Sequence, residues 1–292
     1  MDVRAILMGL GFAVMWSSAF TSARVIVAYA PPMSALSLRF LISGLLGIAI
    51  AYLIGQTARL TRAQWRSTVI FGISQNALYL GLNFVAMQWI EASLAAIIAS
   101  TMPLAVALTG WLVFREKLRP MAIAGLLAGT AGVALIMGVR FGGGVDVLGV
   151  VLCGIGVVSL TVATLAVRSA SNAGNLLLVV GLQMLVGSAI LAVPAVLYER
   201  AGWAIDLNWQ LVVAFAYTTL VPGLAATWVW FLLVGRIGAV RAATFHFLNP
   251  FFGVAIAAVL LRESLTMTDV IGVAVIAAGI LAVQVSRQPG KR

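Results

Sequence analysis

Apolar residues run through this chain in blocks of about twenty, separated only by short clusters of charge, Gly, Pro or Asn, and that rhythm is its tightest constraint. An α-helix rises about 1.5 Å per residue and a bilayer core is about 30 Å thick, so one block makes one crossing. Reading between the punctuation predicts ten crossings, at about 5–28, 33–54, 68–88, 93–114, 121–138, 147–167, 175–197, 209–233, 240–261 and 268–286. A water-soluble alternative fails on supply: 63% of the 292 residues are apolar and 9% charged, against about 45–50% and 25% in soluble domains. A transmembrane barrel would place a polar residue at every second position, and runs such as Leu41 to Leu53 and Val254 to Leu261 show no alternation. The expected class is an all-α integral membrane protein with ten transmembrane helices. Arg4 before an apolar stretch imitates a signal peptide, but nothing after it reads as a secreted domain, so the stretch counts as the first crossing.

The net charge of +10 takes its meaning from where the charges lie. With the N-terminus inside, Arg4, Arg59, Arg62, Arg66, Arg115, Lys117, Arg119, Arg168, Arg236, Arg241, Arg287, Lys291 and Arg292 fall on one side, and Arg140, Arg200 and Arg262 on the other. Positive loops stay cytoplasmic, so both termini are expected there. Glu91, Asp146, Glu199, Asp206, Glu263 and Asp269 fall on the opposite side, and Trp65, Trp89, Trp203 and Trp209 lie near span ends, as interfacial residues do. The charge therefore reports orientation in a membrane, and nucleic acid loses its main support as a partner. The single cysteine, Cys153, sits in an apolar run and permits no disulfide framework or cysteine-rich metal site.

Shifted by 147, the chain matches itself. Phe84 falls on Phe231, Ile90 on Ile237, Ala92 on Ala239, Pro103 on Pro250, Arg115-Glu116 on Arg262-Glu263, Gly125 on Gly272 and Gly132 on Gly279. The earlier helices of each half align less clearly. A unit of five helices is odd, so the second copy enters the membrane the other way round, which the opposite sides expected for the two Arg-Glu pairs also require. The expected organisation is two inverted five-helix repeats, 1–138 and 139–292, the usual plan of secondary transporters.

The stretch Ala86-Met-Gln-Trp-Ile-Glu-Ala-Ser-Leu-Ala-Ala-Ile-Ile-Ala-Ser-Thr-Met-Pro103, continuing to Phe114-Arg-Glu-Lys-Leu118 and a helix with Gly125, Gly129 and Gly132, resembles the EamA repeat of the drug/metabolite transporter superfamily. The copy with Asn249-Pro250, Leu261-Arg-Glu-Ser-Leu265, Gly272 and Gly279 is similar to its second unit, and Trp16-Ser-Ser-Ala-Phe20 and Leu38-Arg39-Phe40 match first- and second-helix motifs. The resemblance covers nearly the whole chain. It implies a ten-helix transporter, and among branches of the superfamily the sequence most resembles bacterial inner-membrane exporters of aromatic and other neutral amino acids. Shared residues are mostly packing and hinge positions, so architecture is implied more firmly than solute. The outward direction comes from the resemblance alone.

Gln75, Tyr79 and Asn83 follow at i, i+4 and i+8, with Asn76 beside them. Such groups cannot face lipid unpartnered, so they either line a solute path or bond neighbouring helices. Trp16 and Ser17 in the first helix, with Tyr217 and Trp228 in the eighth, offer flat faces and hydrogen-bonding groups to an amphipathic solute, the alternative for each Trp being a lipid-facing or core position, which is the expectation for Trp230. His246, the only histidine, lies at membrane depth with Asn249 at i+3 and is a candidate for solute contact or proton relay. Pro103 and Pro250 free carbonyls one turn back and are candidate hinges. Arg24 and Arg39 are expected to snorkel from their spans to the interface, with a role in binding a carboxylate as the alternative. Gly125 and Gly129 read as a close-packing site between helices.

No carboxylate lies near the middle of a predicted span, which removes the group a proton/cation multidrug exchanger needs, and no catalytic cluster is visible. The expected protein is not an enzyme. It exports small neutral or zwitterionic metabolites, foremost amino acids including aromatic ones, by alternating access around a midplane cavity in the bacterial inner (plasma) membrane. The alternatives are an exporter of other small metabolites or drugs, or a membrane-embedded enzyme. The expected partners are a small-molecule solute and the lipid bilayer, with no cofactor, metal or nucleic acid; a monomer is compatible with this plan.

Overall fold

The computed structural model describes residues 3–57, 60–167, 175–199 and 204–286. Among them, ten helices are long and apolar enough to cross a membrane: α1 (Val3–Tyr29), α2 (Pro32–Leu53), α3 (Arg62–Ala86), α4 (Ala92–Leu112), α5 (Pro120–Gly142), α6 (Val147–Leu165), α7 (Leu176–Glu199), α8 (Trp209–Ile237), α9 (Arg241–Leu261) and α10 (Met267–Ser286). No strand occurs among the described residues. The expected all-α, ten-helix class is the observed one. Helix α3 begins at Arg62 rather than near 68 because Thr61 and Gln64 form a capping box: the Gln64 amide donates to Thr61 Oγ1 at 3.2 Å, and the Thr61 amide to Gln64 Oε1 at 2.9 Å. Arg59, Arg168, Arg200, Arg287, Lys291, Arg292 and Trp203, used in the charge and interface readings, lie outside the described residues.

The chain forms two compact units, each drawing on both sequence halves: one of Met1–Thr21, Trp89–Val150 and Ala225–Arg292, the other of Ser22–Gln88 and Val151–Leu224. In the first, α5 and α10 pack antiparallel through glycines. A Cβ on Gly125 would stand 2.6 Å from the Gly279 carbonyl oxygen, and one on Gly132 3.0 Å from that of Gly272. Lipid tails are as apolar as leucine, so this contact rests on close backbone approach rather than on hiding apolar surface. The shift of 147 carries Gly125 to Gly272 and Gly132 to Gly279, making the two contacts images of one another. Equivalent helices lying antiparallel are what an inverted second repeat requires. The pair α4 and α9 repeats the theme: Gly253 meets Ala96, and the Glu263 carboxylate accepts from the Ala92 and Ser93 amides at 2.8 and 2.9 Å, satisfying orphan donors at the start of α4. Ile97, Leu104, Ile136, Val254, Ile276 and Ile280 form the core between these helices. Arg115 and Arg262, the repeated arginines, share a left-handed backbone, with φ of 54° and 56°.

The second unit is built on antiparallel α2 and α7, where Gly44 and Gly181 each bring a carbonyl oxygen within 2.9 Å of the other's missing Cβ. Ser37 Oγ donates to the Ser188 carbonyl at 2.9 Å, and Ser188 Oγ returns a bond to Ser37 at 2.8 Å. The helix starts are capped crosswise. Glu199 accepts from the Met33 and Ser34 amides, both at 2.8 Å, while Gln56 Oε1 accepts from the Leu178 amide at 3.0 Å. Helix α3 widens into a π-helix over Gly72–Leu80 and α8 over Thr219–Ala225. Residue 72 shifted by 147 is 219, so both repeats loosen the same helix at the same point.

Candidate functional site

Helices α4 and α9 are interrupted at equivalent positions. Pro103 and Pro250 stand in the first turns of restarting segments, Met102–Leu112 and Asn249–Leu261. A proline has no amide to bond the carbonyl four residues back. For Pro250 that carbonyl is His246, and the Asn249 amide takes it instead, tightening Thr244–Leu248 into a 3₁₀ turn. In α4 the Thr101 amide reaches the Ile98 carbonyl three residues back at 3.1 Å, a similarly tightened turn just before the restart. Interrupted helices at corresponding points of two repeats are the recurrent location of solute sites in transporters, because irregular backbone at membrane depth is tolerated where it serves a cavity.

The α9 interruption presents His246 and Asn249 to α1 and the end of α8, all within the first compact unit. Phe12 is the centre of the cluster: its ring centroid lies 5.7 Å from Trp16, 4.8 Å from Trp230 and 5.3 Å from His246, the last edge-on at 85°. Trp230 stands 5.2 Å from His246. The Asn249 amide and His246 Nδ1 are hydrogen-bonded at 2.9 Å, the amide NH₂ donating in the tautomer that carries its proton on Nε2. Asn249 Oδ1 is buried and meets no donor among the described residues. Ser17 Oγ donates to the Asn249 carbonyl at 3.3 Å and ties α1 to the interruption. The result is an aromatic enclosure with one imidazole and one unpaired amide oxygen, a set suited to a solute that is flat and apolar at one end and hydrogen-bonding at the other.

The EamA-like transporter family model matches residues 3–138 and again 147–284. The chain belongs to the EamA-like transporter family. An uncharacterized transporter of Bacillus subtilis, YvbV, is 27% identical over 279 residues, covering 95% of this chain and 90% of its own. The aromatic amino acid exporter YddG of Ancylobacter novellus is 28% identical over 214 residues, covering 72% and 73%. A solved crystal structure superposes with a TM-score of 0.69 over 97% of this chain and 96% of its own, at 22% identity, which shows a shared fold. This EamA-like chain is thus a multi-pass membrane protein of a transporter family.

Of the residues singled out from the sequence of this EamA-like protein, Trp16, Ser17, His246 and Asn249 are brought together, and Pro250 is adjacent. Trp228 is set apart. Its indole is 61% exposed, and Trp230 occupies the place by Phe12. Gln75, Asn76, Tyr79, Asn83 and Tyr217 belong to the other compact unit. Tyr79 and Asn83 of the expected stripe share a face and pack on Gly156 of α6, whereas the neighbouring Asn76 packs on Gly187 of α7, with the π-helix in α3 between Gly72 and Leu80. Asn83 Nδ2 donates to the Tyr79 carbonyl at 2.8 Å and its Oδ1 accepts from Cys153 Sγ at 3.3 Å, which are interhelical and backbone partners. Gln75 is half-buried, and Tyr217 is 37% exposed. A cavity of about 430 Å³ in this unit, bordered by Tyr29, Met33, Gln88, Glu199 and Asp206, includes none of these candidates. Arg24 donates to the Met87 carbonyl at the end of α3, and Arg39 is buried. Trp230, expected to face lipid or core, belongs to the cluster, and Phe12 was missed; the i, i+4 spacing of Phe12 and Trp16 was the available signal.

Proposed function

We propose that this EamA-like protein exports small neutral or zwitterionic metabolites, foremost amino acids including aromatic ones, across a bacterial inner membrane by alternating access. The observation that carries the proposal is the cluster at the α9 interruption. Trp16 and Trp230, held in place by the buried Phe12, offer ring faces to an aromatic or branched side chain. A solute ammonium supplies the donor that Asn249 Oδ1 lacks, and His246 Nε2–H supplies a donor to a carboxylate. Both ends of a zwitterion are then satisfied without a net charge being added to the site. The relative named as an aromatic amino acid exporter supports the same solute class. Pro103 and Pro250 are proposed as paired hinges, since both mark where a helix restarts. The 13 to 3 division of loop and terminal positive charges supports cytoplasmic termini.

The test is efflux of radiolabelled phenylalanine, tryptophan and leucine from proteoliposomes. Wild type is expected to release them faster than empty liposomes, and Trp230→Ala and Asn249→Ala to lower the rate at least tenfold while remaining monodisperse in detergent. Trp228→Ala is expected to leave the rate within twofold. No accelerated flux of any of the three amino acids from folded protein overturns the proposal.

A further inference from the structure

Helix α2 buries a stripe of Leu36, Arg39, Phe40, Ser43, Gly44 and Gly47, spaced three and four apart, so Arg39 lies on the inner face of its helix. It is 5% exposed and sits about 10 Å into the span, counting 1.5 Å per residue from Pro32. A charge held at such depth needs an opposite charge or a set of acceptors. Arg24 shows how this chain satisfies an arginine by itself, through a backbone carbonyl. Arg39 is different. Its Nε is buried with no acceptor, and the Ser43 hydroxyl one turn along is also buried and unpartnered among the described residues. The described ion pairs do not include Arg39.

Gly223, in the π-helical part of α8 after Pro222, packs against these two groups. A Cβ at 223 would stand 3.1 Å from the Thr218 carbonyl oxygen, 3.5 Å from Arg39 Nη2 and 3.6 Å from Ser43 Oγ, in contact with both side chains. The guanidinium is steadied by the Phe40 ring, 5.2 Å from its centroid. All of these residues lie in the second compact unit. We infer that Arg39 and Ser43, facing Gly223, form a buried subsite for the carboxylate of a small solute. A carboxylate supplies the missing negative charge and two oxygens, one pair of lone pairs for the planar guanidinium fork and another for the hydroxyl. The subsite stands apart from the amino-acid reading, because a carboxylate can bind here whatever solute is carried.

Purified full-length protein in detergent is titrated with acetate, benzoate, acetamide, benzamide and chloride at constant ionic strength, and the thermal unfolding midpoint is followed. The carboxylates are expected to raise the midpoint saturably, and the amides and chloride are not. The apparent dissociation constant for benzoate is expected to weaken at least tenfold in Arg39→Gln and in Gly223→Ala, and by a smaller factor in Ser43→Ala and in Arg39→Lys, which keeps the charge but loses the fork. Gly223→Ala keeps the arginine and sets a methyl group against Arg39 Nη2 and Ser43 Oγ, so it decides the matter if Arg39→Gln does not fold. An equal response to chloride, or a carboxylate response unchanged in Gly223→Ala, overturns the inference. Loss of amino-acid flux with carboxylate binding intact overturns only the solute proposal above.

Discussion

Replacing Arg140 by glutamine tests the ion network that joins α5 to the starts of α4 and α10. Arg140 Nε and Nη2 donate to the two oxygens of Asp269 at 3.3 and 3.1 Å, and Nη1 to Glu91 at 2.6 Å. The two acids differ in burial: the Asp269 side chain is 2% exposed and that of Glu91 38%. Removing one partner of a buried ion pair costs about 3–5 kcal/mol, because the remaining charge keeps its desolvation penalty. Asp269 retains the Thr266 amide and hydroxyl on Oδ2, both at 2.9 Å, and the favourable end of the α10 dipole, which places the expected cost near the lower figure, about 3 kcal/mol. Glu91 is partly solvated and contributes under about 1 kcal/mol. Equilibrium unfolding in mixed micelles should therefore rank Arg140→Gln well above Glu91→Gln. Adding Asp269→Asn to Arg140→Gln should recover part of the loss, since it removes the stranded charge. A cost for Arg140→Gln below about 1 kcal/mol, or equal costs for Arg140→Gln and Glu91→Gln, would refute the reasoning.

Gly125→Ala and Gly279→Ala each push a methyl group to 2.6 Å from the opposing carbonyl oxygen, so each should destabilise the folded protein by about 1–3 kcal/mol in the same unfolding assay, while Gly138→Ala, with open space around it, should be neutral or better. An imposed pH gradient should not raise efflux of a neutral amino acid from wild-type proteoliposomes, and His246→Gln should change the half-saturating concentration only; gradient-driven uphill accumulation lost in His246→Gln would contradict this. Reporter fusions after residue 292 and at 62 should read cytoplasmic, and a fusion after Gly143 should read external; the same label at 62 and 143 would contradict the odd-numbered repeat.

Helix number was legible because hydrocarbon thickness sets span length, and glycines survive as marks of close approach: Gly125, Gly132, Gly272 and Gly279 announced the repeat, although not that the helices carrying them pair with each other. Which face a residue occupies was harder to read. Trp228 and Trp230 differ by about 200° around a helix, and in a helix apolar on all sides no polar neighbour says which points inward. Arg39 was assigned to the interface from its depth alone, although the spacing of Leu36, Phe40, Ser43 and Gly47 around it traces the buried stripe. The π-helical segments left no signal of their own. Gly72–Leu80 and Thr219–Ala225 share position but almost no residues, so the widened turns could not be anticipated.

The crosswise caps also set a timetable for synthesis. The amides of Ala92 and Ser93 wait for a carboxylate 171 and 170 residues downstream, and those of Met33 and Ser34 for one 166 and 165 residues away. At about 5–20 residues per second, a ribosome takes roughly 8–35 s to cover such a gap. Throughout that interval the starts of α2 and α4 are inserted without these caps, dependent on headgroups or water for their orphan donors. The nascent chain therefore waits in the bilayer half-assembled, and its first half is sealed from the end of α7 onward, last of all when Glu263 leaves the ribosome and reaches the start of α4.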